Sequence, residues 1–171
     1  ALPVLLSRCP RLLLDADALN TLSAEDGLTQ ALRARAARSQ VTVLTPHPLE
    51  AARLLGSDVA AVQADRLLAA RTLAQRQRSM VLLKGSGSVI AFPDGDLVIN
   101  PTGNGLLATG GTGDVLAGWT GGFWAQLAAT HGDAASARQA LAAAAWLHGH
   151  AADLQAACSP GSLALRAGEL T

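Results

Sequence analysis

At 171 residues, half of them apolar, the chain has the length of one domain and enough apolar side chain for a sizeable core. Its 13 basic and 13 acidic residues cancel, which excludes the electrostatic footprint of a nucleic-acid or anionic-membrane binder. The 2 cysteines, Cys9 and Cys158, are isolated, which argues against a zinc site or a disulfide framework and fits a reducing cytoplasm.

Ala1 to Leu6 lacks the basic leader and full apolar run of a signal peptide, lacks an initiator Met and reads as the tail of a helix. That predicts a chain beginning inside something larger. Leu12 to Leu14, Val41 to Leu44 and Met80 to Leu83 are short apolar runs that predict buried strands. Between them, helices are expected over Ala24 to Arg38, from Pro48 for a short stretch, and over Val59 to Gln77, where Asp58 is placed as an N-cap. The loose basic group from Arg71 to Arg78 falls at helical spacing and reads as a solvated face. Strand, helix and strand repeated in this way argue for a mainly parallel sheet covered by helices. Ser88 to Phe92 and Leu97 to Asn100 flank Pro93-Asp94-Gly95-Asp96, whose turn chemistry predicts a hairpin. A Gly-rich loop from Gly103 to Gly113 then leads into helices over Asp114 to Ala129 and Ala134 to Ala157. Arg, Asp, Gln or His interrupts every apolar stretch, so no membrane span is expected.

The strongest local signal is Ala108-Thr109-Gly110-Gly111-Thr112-Gly113-Asp114-Val115-Leu116-Ala117-Gly118. Glycines ahead of a helix let backbone N–H groups converge without Cβ atoms in the way, and the helix N-terminus adds partial positive charge. Gly111, Thr112 and Gly113 are therefore expected to form an anion hole for a phosphate or an anionic transition state. Asp114 faces whatever those amides hold, and its carboxylate can take the proton of an attacking hydroxyl. The competing reading is a Gly-rich turn with Asp114 as a helix cap. No Gly-Lys-Ser/Thr follows, so this is not a Walker loop, and the spacing does not suit a dinucleotide fingerprint.

Three other segments carry weaker signals. Lys84-Gly85-Ser86-Gly87-Ser88 offers a cation and accessible backbone after a buried strand, as a ligand-contacting loop would; a plain hairpin with an exposed lysine is the alternative. In Thr45-Pro46-His47-Pro48-Leu49-Glu50, Pro48 suits a first helical turn and His47 is displayed just before it. His47 is a candidate to hydrogen-bond a substrate and Glu50 to orient hydrated magnesium, against a His that caps the loop and a solvent-facing Glu. Leu14-Asp15-Ala16-Asp17-Ala18-Leu19-Asn20 puts two carboxylates and an amide beyond a strand end, suited alike to metal or substrate contact and to loop capping. His148 and His150, with Trp146 and Asp153, lack metal-site spacing and read as packing or helix–helix contact. Trp119 and Phe123 lie four apart and share a helix face, packed in the core or in a subunit contact. Four polar loops thus follow successive strands at the edge where α/β proteins bind ligands, which points to a nucleotide or phosphate site.

The order of these motifs resembles the ribokinase-like superfamily and, within it, the NAD(P)H-hydrate dehydratases. The segments Leu14 to Asn20, Thr45 to Glu50, Leu83 to Ser88, Asn100-Pro101-Thr102-Gly103-Asn104 and Gly110 to Gly118 carry the resemblance over most of the chain. Sugar kinases of the superfamily usually have Asn where His47 stands, so the His-Pro-x-Glu form favours the dehydratase. The resemblance implies an α/β, ribokinase-like fold with a mainly parallel sheet flanked by helices. Residues 1–171 would be a single partial domain, the C-terminal nucleotide-binding portion, with the N-terminal part of the domain missing.

The activity it implies is repair of NADH or NADPH hydrated on the nicotinamide ring, with Mg2+, at the expense of ADP (giving AMP and phosphate in the bacterial type) or ATP. The ring hydroxyl is phosphorylated and phosphate is then eliminated, helped by the ring nitrogen's lone pair. Carried over by motif, Asp114 is the base and contacts substrate, His47 contacts the hydrated dinucleotide, and Lys84, Gly85, Ser86, Gly87, Ser88 and Gly113 contact nucleotide. Glu50 would hold magnesium through water. The chain departs from the pattern at Gly105 and Leu106, where many relatives have Pro and Gly. Relatives also have further residues before the position of Ala1, including sheet strands and a Gly-rich substrate loop. The expectation is therefore a piece of a cytoplasmic homo-oligomer with a fused or companion epimerase domain, with no nucleic-acid or membrane partner, which alone binds nucleotide yet fails to turn over. A ribokinase-like kinase of a vitamin-precursor or sugar hydroxyl, and a non-catalytic nucleotide-binding fragment, are the competing functions.

Overall fold

The computed structural model of the chain describes residues 1–129 and 133–170. The chain divides into two compact units, residues 1–85 with 89–98 and residues 86–88 with 99–171. The first unit contains, in order, α1 (Leu2–Arg8), β1 (Arg11–Leu14), α2 (Asp17–Ala24), α3 (Asp26–Ala36), β2 (Val41–Leu44), α4 (Pro48–Leu55), α5 (Val59–Ala64), α6 (Arg66–Gln77), β3 (Met80–Leu83) and β4 (Val89–Ala91). It ends in β5 (Leu97–Ile99), whose last residue belongs to the second unit.

The strands lie in one sheet in chain order, β1-β2-β3-β4-β5. β1, β2 and β3 run parallel, with Leu14 opposite Leu44 and Leu44 opposite Val81. β4 returns antiparallel to β3, placing Val89 opposite Leu83. Parallel strands are covered on both faces and read as unbroken apolar runs, and β3 is buried along its whole length. Leu19, Leu22, Leu44, Leu73, Val81 and Leu83 are fully buried at the centre of this unit's core. The turn expected between β4 and β5 closes with Phe92 N–H donating to the Asp96 carbonyl at 3.0 Å.

The N-terminal segment is a helix, as its composition predicts, and its last carbonyls need partners. Fully buried Arg35 supplies them: Nη1 donates to Leu6 O at 2.9 Å while Nε donates to Thr42 Oγ1 at 2.7 Å. One guanidinium thus ties α1 to β2.

Two helical expectations are corrected. The helix expected over Ala24 to Arg38 begins at Asp26, because Glu25 is extended, and Asp17 to Ala24 forms a helix of its own. That helix opens at Ala16, a non-glycine residue at φ 47°, and buries Leu19 and Leu22, so Asp17 and Asn20 are helical residues rather than loop caps. The helix expected over Val59 to Gln77 is two. Asp65 is non-helical at φ −143°, and its Oδ1 accepts the Leu68 N–H at 2.8 Å, which ends α5 and caps α6 together. Asp58 caps α5 as expected, accepting from Ala61 N–H at 2.7 Å.

The second unit is built on α7 (Thr112–Leu127) and α8 (Asp133–Cys158), preceded by a 3-10 turn at Gly105–Leu107. α7 buries Thr112, Leu116, Thr120 and Trp124, four residues apart. α8 presents Ala137, Ala140, Leu141, Ala144, Ala145, His148, Gly149 and Ala152 at helical spacing, a face of mostly small residues that lets another backbone approach closely. Trp124 is in this core, while Trp119 and Phe123 are half-buried with ring centroids 6.4 Å apart. Among the described residues no helix is long and apolar enough to cross a membrane.

Candidate active site

Parallel pairing carries the ends of β1, β2 and β3 to one edge of the sheet, and each is followed by residues singled out above. After β1 comes Asp15; after β2, Thr45 to Glu50; after β3, Lys84 and Gly85. Lys84 Nζ lies 2.7 Å from Asp15 Oδ1, with both side chains largely buried. The lysine is therefore paired across the sheet, not exposed. Its backbone N–H also donates to Pro46 O at 2.9 Å, so all three strand ends are joined.

His47 and Glu50 form a reciprocal cap on α4. His47 Nδ1 accepts the Leu49 and Glu50 N–H groups at 3.1 and 3.3 Å, and Glu50 Oε2 accepts the His47 N–H at 2.7 Å. Because Nδ1 accepts, the proton sits on Nε2, which faces Glu50 Oε1 at 3.3 Å. Both imidazole nitrogens are thus used inside the cap, while 45% of the side chain stays exposed. Glu50 is 3% exposed, so the expectation of a solvent-facing glutamate is overturned, while that of a capping histidine is met.

A residue without a sequence signal fixes the start of the Lys84 loop. Arg66, at the first position of α6, donates from Nη2 to the Leu83 and Lys84 carbonyls at 3.3 and 3.4 Å. Burial lowers its pKa from the usual arginine value. Gly85, at φ 146°, lies against this guanidinium, and a Cβ there would come within 2.6 Å of Arg66 Nη1. Gly85, Ser86 and Gly87 are exposed, and Gly87 has the left-handed φ of 62° that glycine tolerates. In the second unit, Ser88 O accepts the Asn100 N–H at 2.9 Å.

The second unit holds the glycine-rich segment. Gly111 is the N-cap of α7 at φ 89°, and a Cβ on it would meet Ala167 Cβ at 3.0 Å. Val115 N–H is the first to find a helical acceptor, the Gly111 carbonyl at 3.1 Å. Gly111, Thr112, Gly113 and Asp114 consequently carry the four amides that a helix leaves over at its N-terminus. The Thr112 hydroxyl is committed to the Leu107 and Thr109 carbonyls at 2.8 and 2.9 Å, so Thr112 can serve an anion only through its amide. Asp114 is exposed in the first turn and caps nothing: no side-chain bond closes α7, which removes the capping alternative. An anion over these amides would have a carboxylate beside it and no other charged side chain of this turn.

α8 contacts this loop at both ends. His148, read in the sequence as a packing residue, is buried with Nε2 2.9 Å from Thr112 O. Desolvation lowers its pKa, with the Thr112 hydrogen bond opposing. Asp153 accepts from Gly103 N–H and Asn104 Nδ2, both at 2.9 Å. Nothing in the spacing of α8 marks these partners, because each is reached through a loop remote in sequence. His150 stacks on Trp146 at 4.6 Å.

Magnesium has a narrow choice. Among the described residues no group of three or more His, Cys, Asp or Glu side chains is arranged to hold a metal. Mg2+ usually keeps several waters and takes one or two carboxylates plus substrate phosphates, so a full protein cage is not required. Each Glu50 oxygen has one partner already and a lone pair to spare, which leaves it able to accept a hydrogen bond from a water of hydrated Mg2+.

The sequence pattern of a family described as NAD(P)H-hydrate dehydratase matches residues 2–168. The chain is 45% identical over 157 residues to the ADP-dependent (S)-NAD(P)H-hydrate dehydratase of Neisseria meningitidis, covering 92% of this chain and 49% of that protein. It is 43% identical to a bifunctional NAD(P)H-hydrate repair enzyme of Moorella thermoacetica, covering 91% of this chain and 27% of that one. The chain thus spans about half the length of the first of these relatives and less of the second. Among solved structures, the ADP/ATP-dependent NAD(P)H-hydrate dehydratase of Bacillus subtilis, co-crystallized with ATP/Mg2+, superposes with a TM-score of 0.74 at 38% identity, over 94% of this chain and 51% of that one. A ribokinase-like superfamily protein of Enterococcus faecalis superposes with a TM-score of 0.69 at 25% identity, over 92% of this chain and 48% of that one. The α/β, ribokinase-like fold and the match from residue 2 to residue 168 lead to one assignment: the chain belongs to the NAD(P)H-hydrate dehydratase family.

Proposed function

We propose that the chain carries the nucleotide-handling and phosphoryl-transfer residues of an ADP-dependent NAD(P)H-hydrate dehydratase, a lyase that returns hydrated NADH or NADPH to the normal dinucleotide. The observation that carries this reading is the mouth of α7. Four amides are left over there, Gly111 to Asp114, beside the exposed Asp114 carboxylate, in a chain matched to the family over nearly its whole length.

Asp114 takes the proton of the ring hydroxyl as that oxygen attacks the terminal phosphorus of ADP; the new O–P bond forms while the bond to AMP breaks. The amides of Gly111, Thr112 and Gly113 stabilise the charge on the migrating phosphoryl group, and the α7 N-terminus adds its partial positive charge. The ring nitrogen's lone pair then expels phosphate from carbon, and loss of a ring proton restores the reduced nicotinamide. Phosphorylation matters because phosphate leaves far more readily than hydroxide. Lys84, Gly85, Ser86, Gly87, Ser88 and Gly113 contact the nucleotide, and His47 meets the hydrated dinucleotide with the exposed part of its side chain. Mg2+, when bound, would neutralise phosphate charge, with Glu50 reaching it through water.

The same reading places the reaction in the cytoplasm, in keeping with two cysteines that remain thiols, in a homo-oligomer with a companion or fused epimerase domain. The test is to join the chain to the N-terminal part of the domain that its relatives carry, mix that protein with hydrated NADH and ADP, and follow the near-ultraviolet absorbance of reduced nicotinamide. Recovery of absorbance with release of AMP and phosphate is the expected result. A stable phosphorylated product without recovery would mean a small-molecule kinase, and ADP binding with neither would mean a non-catalytic nucleotide-binding segment.

A further inference from the structure

One of the amides in the proposed mechanism shares its peptide with a carbonyl that meets a side chain outside that mechanism. The Thr112 carbonyl and the Gly113 N–H belong to one planar trans peptide and point in opposite directions. The oxygen stands near the head of the hydrogen-bond ladder of α7, and a second partner on it further fixes the direction of the N–H, which opens toward the mouth of α7. His148 Nε2 lies 2.9 Å from that oxygen. A carbonyl can only accept, so Nε2 carries the proton, and donation to the oxygen also polarises the N–H at the other end of the peptide.

The ring that makes this bond is itself fixed. His148 is 7% exposed, and Trp119 of α7 meets it edge-on, with centroids 6.2 Å apart and planes at 89°. The neighbouring residues of α8 hold the other end of the same loop. A Cβ on Gly149 would stand 2.6 Å from the carbonyl carbon and oxygen of Thr102, so only glycine permits this approach. Thr102 Oγ1 donates to Trp146 O at 2.9 Å, and Asp153 accepts from Gly103 and Asn104. One stretch of α8, from Trp146 to Asp153, therefore anchors the loop where it begins and where it enters α7.

We propose that His148 is a positioning residue of the anion hole, which acts through the Thr112 peptide to aim the Gly113 N–H at the migrating phosphoryl group. The proposal rests on the phosphoryl-transfer reading of the α7 mouth. His148 touches neither substrate nor nucleotide in this scheme.

The experiment compares His148→Phe, which keeps the ring volume and the contact with Trp119 but deletes the donor, with His148→Gln, which restores a side-chain N–H. Two readouts are taken: steady-state kinetics with ADP and hydrated NADH, and amide hydrogen exchange along α7. In the Phe variant kcat is expected to fall about ten- to a hundredfold, with KM for ADP within about threefold, because a small misaim costs the transition state more than the ground state. The Val115 amide, bonded to Gly111 O, is expected to exchange about tenfold faster while the rest of α7 keeps its protection. The Gln variant should recover most of both.

Unchanged kcat and unchanged exchange in the Phe variant would overturn the positioning role and leave the dehydratase reading intact. A loss of protection throughout the second unit, or no rescue by Gln, would overturn it too, since the effect would then be one of packing. Failure of the unsubstituted chain to bind ADP would overturn the proposed function instead, and the exchange comparison would still decide whether His148 orders the α7 mouth.

Discussion

The Asp15–Lys84 pair should be a strongly coupled one, and its magnitude follows from burial. The charged atoms are 2.7 Å apart, with 19% of the Lys84 and 12% of the Asp15 side chain exposed. Exposed ion pairs contribute about 0.2–1 kcal/mol, whereas stranding one charge of a buried pair costs about 3–5 kcal/mol. The small residual exposure puts Asp15→Asn and Lys84→Met each at a loss of roughly 2–3 kcal/mol. For a chain of this size that lowers the melting temperature by about 4–12 °C. The double variant strands neither charge and should lose no more than either single variant does, about 2–3 kcal/mol, giving a coupling energy of about 2–3 kcal/mol. Chemical denaturation of the four proteins at neutral pH measures the cycle directly. Additive effects, with coupling below about 0.5 kcal/mol, would refute the reasoning and reduce the bridge to a surface contact.

Two glycines of the second unit should respond in opposite ways. Gly149→Ala places a Cβ against the Thr102 backbone and should cost about 3 kcal/mol or more, since the neighbour is main chain and cannot swing aside. Gly118→Ala meets nothing within 4 Å in the middle of α7 and should raise stability by about 0.5–1 kcal/mol; denaturant melts check both. A third expectation concerns pH. Burial lowers the folded-state pKa of His148 below its unfolded value, so between the two values the unfolded chain binds more protons. Stability should therefore fall as pH drops through the unfolded value of about 6.5 and level off below the folded one, and His148→Gln should flatten that slope in denaturation measured from pH 8 to pH 5.

The strands were the most legible part of the sequence. Met80 to Leu83 is an unbroken apolar run and Val41 to Leu44 is one broken only by Thr42, because both faces of a parallel strand are covered, and their observed bounds match the runs. Helix breaks were less visible. Leu and Ala continue at helical spacing through Asp65, and only the cap geometry of that one aspartate divides α5 from α6. The helix at Asp17 was hidden by two carboxylates and an amide that look like loop chemistry, although Leu19 and Leu22 point into the core.

The site was legible where chemistry is local in sequence. Gly111 to Asp114 and His47 to Glu50 each form a self-contained turn, so residue types and spacing announce them. Contacts made across long separations left no local trace. Lys84 reads as exposed until Asp15, 69 residues earlier, is seen to hold it. His148 reads as a packing residue until Thr112, 36 residues earlier, gives its ring a carbonyl to hold.

The central claim, that Asp114 takes a proton while the α7 amides hold a phosphoryl group, is tested most directly by Asp114→Asn. That change preserves size and hydrogen bonding and removes the basic carboxylate. With hydrated NADH and ADP as substrates, the rate of absorbance recovery should fall by about a hundredfold or more while ADP affinity from calorimetry stays within about threefold. Recovery at an undiminished rate in the Asn variant would contradict the account.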